Sequence, residues 1–323
     1  MKKILLVIGL IAVLSMSLII KHIRKPLTEA RFTISILQTA SHPALDAARE
    51  GFIEELKNRL KHEVEFVVYN AQGSSAQAHA VAQQLQANKN CAGFFAIATP
   101  AAQALSAVEK ERPLFIAAVT DPHALGLLHP KTNVCGSKDM IDVEAEIEML
   151  TRLVPQAKTV GLLSTAGETN SIAQVKLMRT ALEARGLKAI DFALTNETDM
   201  QALVELACRK TDLILAPTDN TVASTIALTA AITRKHGKPF IVSDNLLVAQ
   251  GPLAARGVDY KMSGKHAAQC AHKVLVEGKK PHELPIEQAQ SEKIVINQTT
   301  LELLGLQIPK ALQKQLVLVK DTP

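Results

Sequence analysis

Short apolar runs alternate with longer helical patterns through most of this chain, and no other feature restricts its fold as strongly. A first block runs from Ile34 to Val119, and a second follows Pro155 and ends near Val242. Continuous apolar strands that are separated by helices are typical of a parallel sheet with both faces covered. Each block has about the size of an independent domain. The sequence therefore predicts an α/β protein of two lobes, each built on a parallel sheet.

The segment beyond the second block predicts how the two lobes are connected. The alternation resumes around Leu253 to Asp259 and again around Ile294 to Asn297. We therefore expect the chain to cross between the lobes more than once. The predicted first lobe comprises residues 31–138 and 249–290, and the predicted second lobe comprises residues 139–248 and 291–323.

The charges of the chain are unevenly distributed, and most of the chain is formally neutral. There are 36 Lys and Arg residues against 31 Asp and Glu residues, which gives a formal net charge of +5. Residues 1–25 contain five basic residues and no acidic one, so they account for the whole excess. Nucleic-acid-binding surfaces usually show a clustered basic excess. We therefore predict no nucleic-acid partner.

The first 25 residues have the pattern of an export segment. Residues 1–3 carry two lysines, and an unbroken run of apolar or small residues follows from Ile4 to Ile20. A charged start and an apolar core are typical of a secretory signal. Ser15 and Ser17 are small enough for a cleavage site, but the run also approaches the length that spans a bilayer. A cleaved signal peptide and a retained membrane anchor both stay open, and both predict a periplasmic or extracytoplasmic protein.

The sequence predicts neither a metal site nor a cofactor. Cys91, Cys135, Cys208 and Cys270 are widely spaced, and we expect buried thiols. Export would permit disulfides, so their redox state stays open. His266 and Cys270 could share a helix face, but two candidate ligands are too few for a metal site. The chain contains no G-x-S-x-G, H-E-x-x-H, P-loop or G-x-G-x-x-G motif, so we predict that it is not an enzyme.

Hydroxyl, carboxylate and amide side chains follow several predicted strands. Ligands of open α/β sheets bind outside the carboxyl ends of the strands. Helix N-termini at that edge suit a carboxylate, and acidic side chains suit an ammonium group. A cleft shared by the two lobes is therefore predicted to bind a small zwitterion, with Asp219 and Asp244 as the preferred partners of its ammonium group. The candidate ligand-binding residues are Ser41, His42, Thr99, Thr120, Asp121, Glu168, Asn170, Asp219, Asn220 and Asp244.

Each of these candidates also has a purely structural interpretation. Asp and Asn are preferred N-caps of helices, and Thr99 could equally cap the helix that follows it. Asp121, which precedes a proline, is as good a turn residue as a ligand contact. Glu168 could be a solvated loop acid, and His42 a structural hydrogen-bonding residue.

Five segments of the chain resemble one known family. In chain order they are HPALDAAREGF, ATPAAQAL, AAVTDPHALGLL, GETNS and PTDNTVAS. They resemble the ABC-transporter substrate-binding proteins of the family that includes tryptophan- and tyrosine-uptake binding proteins, and the similarity runs from about Ser35 to Pro309. It implies a periplasmic-binding-protein type I fold, in which two Rossmann-like lobes are joined by three crossovers. It also implies that the lobes close on a ligand and deliver it to a membrane permease driven by a cytoplasmic ATPase.

The chain departs from that family in two respects. It has no cysteine near the export segment to accept a lipid, and it has no Trp and only two Tyr residues, Tyr69 and Tyr260. Few aromatic side chains weaken the case for an aromatic ligand that stacks on aromatic walls. An amino acid is the predicted ligand, with a nucleoside-like or other small polar molecule as the alternative.

Three other functions were weighed from the sequence. A ligand-sensing protein that serves a membrane receptor would close in the same way as a transport protein. An enzyme acting on a small polar substrate would need the catalytic motifs that are missing. A transcriptional regulator would need an N-terminal helix-turn-helix, where this chain has its apolar export segment.

Overall fold

The structure is a computed structural model that describes residues 32–61, 64–289 and 291–322. The predicted export segment, residues 1–25, lies outside these ranges. Within them, no helix combines the length and the hydropathy that a bilayer crossing needs.

The first lobe is built on six parallel strands. In chain order the first part of the lobe contains β1 (Phe32–Gln38), α1 (Pro43–Arg59), β2 (Val64–Asn70), α2 (Ser75–Ala87), β3 (Gly93–Ile97), α3 (Thr99–Val108), β4 (Leu114–Val119) and β5 (Val134–Lys138). The chain returns to this lobe later, with α9 (Tyr260–Leu275) and β11 (Ile286–Gln288). The strand order is β11-β5-β4-β3-β1-β2.

The second lobe is built on seven strands. In chain order it contains α4 (Val143–Leu153), β6 (Thr159–Thr165), α5 (Thr169–Glu183), β7 (Lys188–Leu194), α6 (Met200–Lys210), β8 (Leu213–Ala216), α7 (Asn220–Ser224), α8 (Ile226–Lys235), β9 (Phe240–Val242), β10 (Ala254–Ala255), β12 (Ile294–Asn297), α10 (Gln298–Leu303) and β13 (Leu316–Val319). The strand order is β13-β12-β10-β9-β8-β6-β7, and only β10 and β12 pair antiparallel. Short 3₁₀ turns lie at residues 197–199, 245–250, 281–283 and 310–315.

These sheets confirm the predicted two-lobed α/β fold. The chain passes between them three times, at residues 139–142, 256–259 and 289–293. Strand β10 pairs in the second sheet, although residues 249–290 were assigned to the first lobe. Only two residues of β10 pair, so it leaves little apolar pattern in the sequence.

Helices α1 and α9 cover one face of the first sheet and lie unusually close together. A Cβ atom on Gly264 would be 1.9 Å from the carbonyl oxygen of Ala48, and one on Gly51 would be 2.2 Å from that of Lys261. Only glycine permits two helix backbones to approach in this way. Phe52 of α1 also packs on the sheet, where its ring stacks on that of Phe95 of β3, with centroids 3.9 Å apart. The first lobe is therefore a tightly packed unit that includes α9.

Candidate functional site

A small cavity lies between the lobes, where the carboxyl ends of their central strands face each other. Its volume is about 30 Å³, which leaves room for about two water molecules. No lysine or arginine is among the described residues that line it. The first lobe and the first crossing contribute His42, Leu45, Ala98, Ala118, Asp139 and Tyr260, and the second lobe contributes Asn170, Ala216, Pro217, Thr218, Asp219, Asn220, Val222, Ala223, Val242, Ser243, Asp244 and Leu247.

Half of the predicted ligand-binding residues line this cavity, and three more lie directly behind it. The lining residues are His42, Asn170, Asp219, Asn220 and Asp244. The buried residues behind the lining are Thr99, Thr120 and Glu168.

The structure places the other two candidates, Ser41 and Asp121, outside the cavity lining. The exposed hydroxyl of Ser41 donates to Asp46 Oδ2 at 3.0 Å. Asp121 Oδ1 accepts from the backbone N–H of Ala124 at 2.9 Å. Asp121 therefore has the turn role that its position before a proline also allowed.

Asp219 caps helix α7, and both of its carboxylate oxygens are already bonded within the second lobe. Oδ1 accepts from Val222 N at 2.9 Å and from Thr165 Oγ1 at 2.8 Å, and Oδ2 accepts from Thr165 N at 2.6 Å. Burial raises its pKa to about 7, with the nearby charge of Glu168 as the next cause. Asp219 therefore has little free hydrogen-bonding capacity for an ammonium group.

Glu168 is also fully engaged, and it is not a solvated acid because it is only 8% exposed. Its Oε2 accepts from the backbone N–H of Asn220 at 2.9 Å and from Asn220 Nδ2 at 2.7 Å. Its Oε1 accepts from the backbone N–H and the hydroxyl of Thr221, both at 2.9 Å. Glu168 thus fixes the start of α7 and the orientation of the Asn220 side chain.

Two direct hydrogen bonds join the lobes beside the cavity. His42 Nε2 lies 3.4 Å from Asn220 Oδ1, and Gln174 Nε2 donates to Thr120 Oγ1 at 3.4 Å. Since a carbonyl oxygen only accepts, Nε2 of His42 carries the proton. Burial lowers the pKa of His42, which favours the neutral ring. Its Nδ1 is then a buried acceptor, and it has no hydrogen-bond partner.

Two carboxylates face the cavity from opposite sides, and both retain unused oxygens. Asp139 follows β5 in the first crossing, and its Oδ2 accepts from the hydroxyl of Tyr260 at 3.0 Å, whereas its Oδ1 has no partner. Asp244 follows β9, and its Oδ1 accepts from the backbone N–H of Leu246 at 2.9 Å. Burial raises the pKa of Asp139 to about 6 and that of Asp244 to about 7, and the charge of Asp139 adds to the second shift.

Asn170 adds a third kind of unused acceptor to the lining. It lies in the first turn of α5, and its Nδ2 donates to the carbonyl oxygen of Thr218 at 2.8 Å. Its Oδ1 is buried without a partner. The cavity therefore offers acceptors of three chemical types, from Asp139, Asn170 and His42, and its described lining includes no cationic side chain.

Asp139 and Tyr260 belong to the cavity, but the sequence pattern did not indicate either as a ligand contact. Strand β5 has the sequence VCGSK, which is not a continuous apolar run, so its end was not recognised as a strand end. Tyr260 is the first residue of α9, which Asp259 caps by accepting from Met262 N at 2.9 Å. Asp139 would have been found by considering every acid that follows a candidate strand, including strands that are short and partly polar.

The backbone is strained at two small residues of the lining. Ala98 and Ala118 have φ values of 74° and 57°, a region that residues other than glycine rarely adopt. Ala98 directly follows β3, and Ala118 is the penultimate residue of β4. Such strain persists where the surrounding structure imposes it, commonly at ligand sites.

The fold and the cavity together define a two-lobed α/β ligand-binding protein of the periplasmic-binding-protein type I class. The chain belongs to the family of ABC transporter substrate binding proteins, whose model matches residues 33–320. It is 29% identical over 281 residues to a tyrosine-binding protein of Clostridioides difficile strain R20291. The aligned region covers 85% of this chain and 81% of that protein.

Two solved structures at equal identity differ in how well they match this chain. One is an ABC domain in complex with L-Trp from Streptococcus pneumonia, which is 31% identical, with a TM-score of 0.84 over 89% of this chain and 99% of that chain. The other is a ligand-free, open substrate binding protein from Clostridium difficile, which is also 31% identical, with a TM-score of 0.67 over 90% of this chain and all of that chain. The fold described here is therefore more similar overall to the L-Trp complex than to the open structure.

Proposed function

We propose that this protein is the solute-binding component of an ABC importer and that it captures an amino acid between its lobes. The observation that carries the proposal is the pair of buried carboxylates, Asp139 and Asp244, in a cavity with no lining lysine or arginine. Buried carboxylates with unused oxygens are costly unless a cation or hydrogen-bond donors pair with them. An ammonium group supplies both a positive charge and three donors.

The rest of the lining also suits an α-amino acid. The buried acceptors Asn170 Oδ1 and His42 Nδ1 complete the set that an ammonium group can engage. The first turn of α5, which includes Asn170, offers backbone N–H groups on the side of the ligand's carboxylate. The related proteins named above, one tyrosine-binding and one bound to L-Trp, support an amino acid of the aromatic type.

We infer that the structure represents a closed form. A cavity of about 30 Å³ holds water but is too small for an amino acid. The ligand therefore enters when the lobes are apart, and the lobes then close around it less completely than here. The described residues of the three crossings, 139–142, 256–259, 289 and 291–293, are the segments that would bend in this closure.

The ligand itself supplies the free energy for closure. Moving a population from mostly open to mostly closed takes on the order of 5 kcal/mol of differential binding. Charge-assisted hydrogen bonds contribute about 1.5–3 kcal/mol each, so two or three contacts that exist only in the closed form are enough. The proposed mechanism includes no chemical step on the ligand.

The proposed partners follow from the family. Its members work outside the cytoplasm with membrane transporters. We propose that residues 1–25 direct export or anchor the chain, and that the closed, liganded form docks on an ABC permease driven by its ATPase.

Isothermal titration calorimetry with matched ligands tests the proposal. We expect an aromatic L-amino acid to bind and its deaminated analogue, which keeps the carboxylate and the side chain, to bind at least about a hundredfold more weakly. Asp139→Asn and Asp244→Asn should each weaken the binding of the amino acid but not of the analogue. Asp121→Asn, outside the lining, is the control and should bind normally. Equal binding of both ligands would refute the ammonium site, and no binding by any amino acid would refute the function.

A further inference from the structure

A hydrogen-bonded pair of serines fixes how helix α9 lies on strand β5. Ser137 Oγ and Ser263 Oγ are 2.6 Å apart, and Ser137 Oγ also lies 2.9 Å from the carbonyl oxygen of Ser263, to which it can donate. Both residues are completely buried. This contact establishes which face of the strand and which face of the helix meet.

Two cysteines share these faces. Cys135 precedes Ser137 by two residues, so its side chain points to the same side of the sheet. Cys270 follows Ser263 by seven residues, which is two turns along the same face of the helix. Because α9 leads into β11, which pairs parallel to β5, the helix runs against the direction of the strand. The step from Ser137 to Cys135 covers about 7 Å along the strand, and the step from Ser263 to Cys270 covers about 10 Å along the helix. Both steps therefore lead in the same direction in space.

The two thiols are in contact where these periodicities place them. The side chain of Cys135 interacts with that of Cys270, and Cys270 also interacts with the backbone of Gly136. Cys135 is 0% exposed and Cys270 is 4% exposed, and both belong to one hydrophobic core.

The other two cysteines are in different surroundings. The thiol of Cys91 donates to the carbonyl oxygen of Gly93 at 2.8 Å, in the core on the opposite face of the first sheet. Cys208 lies in the core of the second lobe. Both are buried, but neither belongs to the core that contains Cys135 and Cys270.

We propose that Cys135 and Cys270 form a disulfide bond once the chain is outside the cytoplasm. The proposal rests on the proposed function in one respect only, because that function places the chain in a compartment where disulfides form and persist. The four cysteines are free in the structure, which corresponds to the reduced protein.

The oxidant is a disulfide of an extracytoplasmic thiol oxidase or of a small thiol. The thiolate of Cys270 attacks one sulfur of that disulfide and forms a mixed disulfide, and the other sulfur leaves as a thiolate. The thiol of Cys135 then loses its proton and attacks the sulfur of Cys270, which releases the second thiolate of the oxidant. Two electrons pass to the oxidant, whose two thiolates take up the two protons. The contact between the cysteines raises the pKa of Cys135 and lowers that of Cys270, in agreement with this order of attack.

The bond would join two elements that both carry cavity residues. Strand β5 leads directly to Asp139, and α9 begins with Tyr260, whose hydroxyl donates to Asp139. A covalent link between strand and helix would hold this pair in register while the lobes move.

Thiol trapping on the exported protein tests the proposal. The full chain is expressed with its own N-terminal segment, denatured in the presence of the alkylating reagent without reductant, and analysed by peptide mass spectrometry. We expect two alkylated cysteines, Cys91 and Cys208, and a linked peptide pair about 2 Da lighter than the sum of its two reduced peptides. Four alkylated cysteines, or a link that involves Cys91 or Cys208, would overturn the proposal.

Two sets of variants keep the outcome interpretable. Cys91→Ser with Cys208→Ser should retain the link and leave no alkylated cysteine, whereas Cys135→Ser should leave three alkylated cysteines. If Cys135→Ser does not fold, the mapping of the unmodified chain still decides. If the chain stays in the cytoplasm, the reduced protein is refolded with oxidised glutathione, and absence of the link there also overturns the proposal. Calorimetry on the same sample separates the two proposals, because ligand binding with four free thiols refutes only the disulfide.

Discussion

Two pairs of acids follow strands of this protein, and they differ in what their oxygens contact. Glu168 and Asp219, which we call the capping acids, accept hydrogen bonds on both oxygens. Asp219 accepts from Thr165 and from Val222 in α7, and Glu168 accepts from the start of α7. Asp139 and Asp244, which we call the cavity acids, each use one oxygen within the protein. All four are buried. The number of internal donors, rather than burial or position, therefore separates structural acids from candidate ligand contacts.

The largest expected effect is a fall in the free energy of unfolding when Asp219, a capping acid, is replaced by alanine. Asp219→Ala removes the cap of α7 and leaves Val222 N, Thr165 N and Thr165 Oγ1 without their partner. We expect a loss of about 3 kcal/mol in the free energy of unfolding, measured by urea denaturation without ligand. The control Asp121→Ala removes a half-buried turn acid and should cost less than about 1 kcal/mol. An equal effect of both changes would contradict the assignment of Asp219.

The cavity acids should behave in the opposite way. Asp139→Asn and Asp244→Asn each remove a buried charge that is only partly compensated, so the unfolding free energy of the ligand-free protein should stay the same or rise. The affinity for the amino acid should fall about tenfold to a hundredfold, because a charge-assisted hydrogen bond is lost. Urea denaturation and calorimetry on the same samples provide the two measurements. A large loss of stability with unchanged affinity would make these acids structural.

The pH dependence should sharpen the comparison, since stability and binding change in opposite directions. Burial raises the pKa of Asp139 to about 6, those of Asp219 and Asp244 to about 7, and that of Glu146 to about 8. In the unfolded chain carboxyl groups titrate near about 4. Their contribution to stability is therefore complete below about pH 4 and is lost as the pH rises to about 8.

Binding of an ammonium group requires the cavity acids in their charged form, so the affinity should rise between about pH 5 and pH 8. The rise should be roughly tenfold if Asp139 must ionise and nearly a hundredfold, to order of magnitude, if Asp244 must ionise. Unfolding free energy and affinity measured in one buffer series provide the comparison. An affinity that is independent of pH over this range would argue against both cavity acids as ammonium contacts.

The smallest expected effect concerns the hydrogen bond between the lobes at His42. Its Nε2 lies 3.4 Å from Asn220 Oδ1, so it is a weak bond worth about 1 kcal/mol. His42→Ala should shift the ligand-free protein towards the open form and weaken binding about fivefold. Small-angle scattering and calorimetry measure these effects, and His79→Ala, an exposed histidine on α2, is the control. Unchanged scattering and affinity would mean that the contact contributes nothing to closure.

The fold was largely predictable, because burial of both faces of a sheet imposes continuous apolar strands such as β4. The short strands β10 and β11 were not, since two paired residues and the polar sequence IEQ leave no such pattern. The site was predictable only in part. Capping and ligand binding use the same residue types at the same strand ends, and the sequence does not show which oxygens are already bonded. Asp219 was therefore preferred as an ammonium partner, whereas we propose Asp139 for that role because its Oδ1 has no partner within the protein.

The contact of α1 and α9 through Gly51 and Gly264 determines which parts can rotate. Helix α9 begins directly after the second crossing, so its attachment to α1 leaves residues 256–259 as the length of chain that would bend there in the proposed closure. Tyr260 would then move with the first lobe, to which β5, the strand that leads to Asp139, also belongs. A methyl group at Gly264 would displace α9, and the change would reach the cavity through the Tyr260 hydroxyl.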